Sequence, residues 1–159
     1  MPVSPDRAAS GGPSSRLTNP SGPLQLLSEF VAVRRALSSL TTELANLPLT
    51  QEDLSSVELV IAEVLNNIVE HAYGGNADGQ IALSWTFGAT GLLFRVEDKG
   101  NPMPDCKLPP PYCFSRLRNR TRPPENGFGW LLIQRLAYNV VYRRHGSRNI
   151  LTFRMPIGL

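Results

Sequence analysis

Cysteine is scarce: Cys106 and Cys113 are the only two in 159 residues. Two thiols cannot build a disulfide framework and make a poor zinc site on their own. Neither has a base placed near it in sequence, so both read as ordinary thiols rather than nucleophiles. Long apolar runs are also missing. Nothing approaches the roughly 18 residues of a membrane helix, and Met1 to Pro23 holds no apolar stretch of the roughly 7 to 15 residues that drives secretion. The expectation is therefore a protein that does not span a membrane and sits in a reducing cytoplasm. Charge of one sign is in small excess, a net +3. Arg116, Arg118, Arg120 and Arg122 alternate along one stretch, and Arg143, Arg144, Arg148 and Arg154 crowd the C-terminal part. With no recognition motif beside them, direct nucleic-acid binding is not expected. A solvated face, a phosphate-bearing small ligand or an acidic protein surface serves these arginines equally well.

What is present suffices for one domain, with 42% hydrophobic and 18% charged residues. Residues 1–23 mix Pro, Ser and Gly and read as a disordered tail, leaving 24–159 as the domain. From Leu24 to about Leu47, the residues Leu26, Leu27, Phe30, Val33, Leu37, Leu40 and Leu44 recur at three-and-four spacing, which predicts an amphipathic helix closed by Pro48. A second helix is expected from Thr50, a hydroxyl cap with Asp53 in the first turn, through to Tyr73, where Gly74-Gly75 ends it. Gln80 to Phe87 and Leu92 to Asp98 read as a β-hairpin. The prolines between Pro102 and Pro124 forbid regular structure over most of 101–126, a loop long enough to be a lid. A helix over 128–137 and a strand pair around His145-Gly146-Ser147 complete the chain. This order predicts an α/β two-layer sandwich, its mixed, mostly antiparallel sheet covered by helices on one face and solvated on the other. No internal repeat is visible.

Glu63, Asn67 and His71 are spaced by four, so on a helix of about 3.6 residues per turn they form one polar row away from the apolar stripe. Such a row faces either water or a site. As a site it has a definite chemistry. Mg²⁺ takes oxygen ligands and keeps several waters, so the Asn67 amide oxygen together with phosphate oxygens suffices. Glu63 would then stand where a carboxylate orients or deprotonates a hydroxyl, and His71 could donate to a phosphate oxygen. Asp98-Lys99-Gly100 falls where a strand runs into the lid. Asp98 either starts a turn or accepts the exocyclic amine of adenine, with Gly100 leaving room for the ring. Gly127-Phe128-Gly129 precedes a helix and can bring free amides against phosphate. It lacks the Lys-Ser/Thr of a P-loop and does not follow a first βα crossover, which disfavours the two commonest nucleotide folds. Trp130 could line the ligand cleft, whereas Trp85 belongs to a strand.

Glu63-Val-Leu-Asn-Asn67-Ile-Val-Glu-His71-Ala-Tyr73, Val96-Glu-Asp98-Lys-Gly100 and Asn126-Gly127-Phe-Gly129-Trp-Leu-Leu-Ile133, in this order and with a lid between the last two, resemble the three boxes of the GHKL ATP-binding fold. More narrowly the chain resembles the RsbW-like anti-sigma-factor serine/threonine kinases over about Phe30 to Pro156. The resemblance implies ATP and Mg²⁺, with Glu63 as catalytic base, Asn67 as metal ligand, Asp98 as adenine contact, and Gly127 and Gly129 in the phosphate-side loop. It implies phosphorylation of a Ser or Thr on an anti-anti-sigma protein and sequestration of a sigma factor, with a homodimer by likeness only. Pro102, Asn126 and the Tyr138-Asn139 pair depart from the family pattern, and Asn149 stands where some relatives use threonine. One alternative is an ATP-binding partner-switching module without kinase activity. Another is a detached histidine-kinase catalytic domain, disfavoured because no dimerisation helix with a phosphoacceptor histidine precedes the boxes.

Overall fold

The computed structural model describes residues 16–110 and 128–158, with backbone only at Phe128. Two short strands come first, β1 (Leu17–Thr18) and β2 (Leu24–Leu27). Both pair antiparallel with the same strand, β3 (Gln80–Gly88): Leu17 lies opposite Phe87, and Leu24 to Leu27 opposite Leu83 to Gln80. Two expectations are corrected here. Residues 16–23 are not part of a disordered tail, because Asn19 is buried and its amide accepts the Trp85 N–H at 2.6 Å and donates to Glu43 at 3.1 Å. Nor does the first helix start at Leu24. Leu26 is buried between exposed Gln25 and Leu27, the alternation of a strand, and only by coincidence do Leu26, Leu27 and Phe30 continue the helical spacing. Ser28 ends the strand: its N–H donates to the Gly79 carbonyl at 2.8 Å and its hydroxyl accepts the Gly79 N–H at 2.9 Å.

Helix α1 (Phe30–Leu44) then buries Val33, Ala36, Leu40 and Leu44 on one stripe. Helix α2 (Gln51–Asn67) starts in the expected way. The Thr50 hydroxyl accepts the Asp53 N–H at 3.1 Å, and the Asp53 carboxylate accepts the Thr50 N–H at 2.9 Å, a reciprocal capping box. It buries Val57, Val60, Ile61, Val64 and Leu65, but it does not run on unchanged to Tyr73. Ile68–Ala72 form one π turn, closed by the Tyr73 N–H on the Ile68 carbonyl at 3.1 Å. Such wide turns recur at functional sites.

The other strands are β4 (Gly91–Asp98), β5 (Tyr138–His145) and β6 (Arg148–Met155), with α3 (Phe128–Leu136) entering β5. The sheet runs β3, β4, β6, β5, with β1 and β2 pairing to successive stretches of the outer edge of β3. Every described pairing is antiparallel. One face carries the core: Ile81, Leu83 and Trp85 from β3, Leu92, Phe94 and Val96 from β4, and Leu151, Phe153 and Met155 from β6. Phe94 and Phe153 are register partners and their rings stack with centroids 5.5 Å apart. The opposite face carries Arg95, Glu97 and Arg148, with Glu97 paired to both arginines. The fold is the expected α/β sandwich with helices on one face. No helix among the described residues is long and apolar enough to cross a membrane.

Candidate functional site

Two apolar rows of the sheet end in polar residues at the same point. On β4 the buried series Leu92, Phe94, Val96 closes with Asp98; on β6 the series Met155, Phe153, Leu151 closes with Asn149. Asp98 and Asn149 are register partners, 6% and 4% exposed, so each must find its bonds inside the protein or in a ligand. Asp98 Oδ1 accepts the Asn149 amide at 2.7 Å and the Gly100 N–H at 2.8 Å. Asn149 Nδ2 also donates to the Asn101 carbonyl at 3.0 Å, while its Oδ1 accepts Tyr142 Oη at 2.6 Å and Arg144 Nη1 at 2.8 Å. Tyr142 in turn accepts the Met103 N–H at 3.0 Å, and Arg144 Nη1 donates to the Gly100 carbonyl at 2.8 Å. Burial pushes the Asp98 carboxyl above its ordinary value, although the Asn149 and Gly100 bonds and the Arg144 cation pull it down.

A close backbone approach requires glycine at Gly100. A Cβ here would lie 2.5 Å from the Ala72 carbonyl oxygen and 2.6 Å from its carbon, at the end of the π turn. The next residue bonds the same carbonyl, Asn101 N–H donating to it at 2.7 Å. Tyr73 adds a second tie, accepting the Lys99 N–H at 2.8 Å and donating to the Gln80 carbonyl at 2.6 Å.

At the other end of the cleft α2 meets the start of α3. A Cβ on Gly129 would collide with the Glu63 carboxylate and lie 3.5 Å from Asn67 Nδ2. This glycine therefore lets the first turn of α3 approach both side chains. Asn67 Nδ2 is buried without a hydrogen-bond partner, a state that costs about 1–3 kcal/mol unless a ligand relieves it. A half-turn of the amide would present its oxygen instead. No group of three or more His, Cys, Asp or Glu among the described residues could hold a metal. The orphaned Asn67 amide, so turned, would offer one oxygen to a cation that takes few protein ligands and completes its shell with phosphate and water, as Mg²⁺ does. Asn67 fits that donor set. His71 sits on the π turn, with its side chain 58% exposed and 3.9 Å from the Glu70 carboxylate.

Both ends line one cleft of about 660 Å³, within the range of small-molecule sites. Its walls include Glu63, Asn67, His71, Asp98, Gly129 and Trp130, so most of the residues singled out in the sequence converge. Gly127, the side chain of Phe128, Cys113, the lid arginines 116, 118, 120 and 122, and most of the expected lid lie outside the described residues. Sequence reasoning missed Tyr142, Arg144 and the bonding role of Asn149. The available signal was a polar residue continuing the apolar row of a strand.

Family comparison agrees with this geometry. The profile of the histidine kinase-like ATPase domain matches residues 26–155, and the chain belongs to that family, whose members bind ATP. No curated protein matches the sequence significantly. Among solved structures the chain is similar to the RsbU and RsbW domains of Rv1364c from Mycobacterium tuberculosis, with 17% identity and a TM-score of 0.56 over 85% of this chain. It spans only 32% of that larger protein. The Acinetobacter baumannii histidine kinase AdeS also matches, with 18% identity and a TM-score of 0.45 over 86% of this chain and 68% of that one.

Proposed function

We propose that the chain is an ATP-dependent serine/threonine protein kinase that phosphorylates an anti-anti-sigma protein and, when not engaged with it, holds a sigma factor inactive. The observation that carries the reading is a single cleft with a buried hydrogen-bond acceptor, Asp98, at one end and Glu63, Asn67 and the first turn of α3 at the other. Asp98 accepts the exocyclic amine of adenine, and Trp130 and Met103 supply apolar wall beside the nucleotide. Gly127 to Gly129 and the helix start bind phosphate, and His71 donates to a phosphate oxygen. Asn67 and neighbouring phosphates hold Mg²⁺, which when bound neutralises charge on the phosphates. Glu63 takes the proton of the partner's hydroxyl as its oxygen forms a bond to the γ-phosphorus; the bond from that phosphorus to the β-phosphate oxygen breaks and ADP leaves. The sigma factor, the cytoplasmic setting and a homodimer belong to the same reading, supported by the RsbW-type boxes.

The test is phosphate transfer from γ-labelled ATP to purified candidate antagonists. Glu63→Gln should lower transfer by about 100-fold or more while ATP affinity stays within about threefold. Full transfer in that variant overturns Glu63 as base. ATP binding by the wild type with no labelled partner would favour instead a partner-switching module that uses ATP to shape its surface.

A further inference from the structure

We propose that Arg144 and Asn149 are positioning residues that give the cleft its selectivity for the 6-amino group of adenine, by fixing Asp98 with one carboxylate oxygen turned to the base. The inference rests on the reading of Asp98 as the base contact and deepens it.

The argument is one of hydrogen-bond polarity. Arg144 has donors only. Its Nη1 reaches the Gly100 carbonyl and Asn149 Oδ1, both at 2.8 Å, so the Asn149 amide must turn its oxygen toward the guanidinium. Tyr142 acts in the same sense: its oxygen already accepts the Met103 N–H, and its proton goes to Asn149 Oδ1 at 2.6 Å. With the oxygen committed, the amide nitrogen is committed too, and its hydrogens go to Asp98 Oδ1 at 2.7 Å and the Asn101 carbonyl at 3.0 Å. Asn149 has no bonding capacity left for a ligand, and Asp98 Oδ1 is filled by Asn149 and the Gly100 N–H. Among the described residues, the remaining acceptor of the pair is Asp98 Oδ2. A flipped Asn149 amide would set donor against donor at Arg144 and acceptor against acceptor at Asp98. Arg144, half-buried on the outermost strand, therefore fixes, together with Tyr142, which way the base contact faces.

The chemistry selects a ligand with a donor at the position Asp98 Oδ2 faces, and the measurable quantity is discrimination between ATP and purine riboside triphosphate, which lacks only the 6-amino group. Binding of ATP, of that analogue and of inorganic tripolyphosphate is measured by calorimetry on the full chain. The wild type should prefer ATP by about tenfold or more, the scale of one hydrogen bond to a charged group. Asp98→Asn should bring the ratio close to one. Arg144→Met should reduce it below about threefold with tripolyphosphate affinity within about twofold of wild type, and Arg144→Lys, which restores a donor-only cation, should recover part of the preference. Asn149→Ala should match Arg144→Met; if it does not fold, Arg144→Met decides.

A purely structural role for Arg144 would weaken all three ligands alike, and that result overturns the proposal. So does an Arg144→Met variant with the wild-type ratio while Asp98→Asn has lost it. If the wild type does not discriminate, or Asp98→Asn leaves the ratio intact, the base-contact reading itself fails and the inference goes with it.

Discussion

Read as the adenine contact, Asp98 carries the conflict between stability and function that a buried acceptor creates. Its carboxyl titrates above the ordinary 3.8 because burial outweighs the bonds from Asn149 and Gly100 and the Arg144 charge. Between 3.8 and the folded value, the native state keeps a proton that the unfolded chain has released. Stability therefore falls as pH rises through that window and stays lower above it. Asp53 has the opposite sign. Burial pushes it up, but the Thr50 and Gly158 N–H groups and the Thr50 hydroxyl outweigh that and hold it low, so its contribution is lost as pH falls below 3.8. Asp98→Asn keeps an oxygen for Asn149 and Gly100 and removes the buried charge. At neutral pH its melting temperature should equal or exceed that of the wild type, while ATP affinity drops about 10- to 100-fold. Calorimetric binding with thermal melts from pH 4 to 8 checks both; a variant that melts well below the wild type contradicts the assignment. Asp98 was legible from sequence because a strand ends there. Its partners Asn149, Tyr142 and Arg144 were not, since only the cross-strand register puts residues so far along the chain against it.

Two glycines show how elements are held against one another, and they should fail differently. At Gly129 an added Cβ meets the tip of Glu63, a flexible side chain that can swing away. Gly129→Ala, in the first turn of α3, also gains up to about 1 kcal/mol of helix propensity. It should fold with an unchanged or slightly higher melting temperature, yet transfer phosphate at least about tenfold more slowly because Glu63 is displaced. At Gly100 the added carbon meets the backbone of Ala72, which the Asn101 bond holds in place. Gly100→Ala should cost about 1–3 kcal/mol in denaturant unfolding, the scale of overpacking. Equal melting temperatures for the two variants would contradict this account. At this scale α2 and its Thr50 cap, the β3–β4 hairpin and the C-terminal strand pair were legible, since local periodicity and capping chemistry decide them. β1 and β2 were not. Leu24 to Leu27 are a strand because β3 offers an edge, and residues 17–18 are ordered because Asn19 reaches Trp85 and Glu43. The π turn was likewise hidden, since a four-residue spacing reads the same whether or not the last turn widens.

Across the whole molecule the candidate site adjoins the stabilising core, sharing Val64 and Leu151 with it. The apolar rows of β3, β4 and β6 pack under α1 and α2 around the Phe94 and Phe153 stack, while the cleft gathers groups that are costly without a ligand: a buried carboxylate and an orphaned amide. A ligand that satisfies those groups binds only the folded chain and must raise its stability, by about 2.7 kcal/mol at 100 times the dissociation constant. For a domain of this size that corresponds to a rise in melting temperature of at least about 5 °C. ATP with Mg²⁺ should produce that rise, and ATP with a chelator a smaller one. Asn67→Ala removes the unpaired buried donor, so without ligand it should melt at or above the wild type. With ATP it should show the same small shift whether or not Mg²⁺ is present. A Mg²⁺-dependent shift surviving in Asn67→Ala would move the metal to other ligands. No shift in the wild type with either mixture would leave the orphaned amide without its explanation and remove the basis for reading this cleft as a nucleotide site.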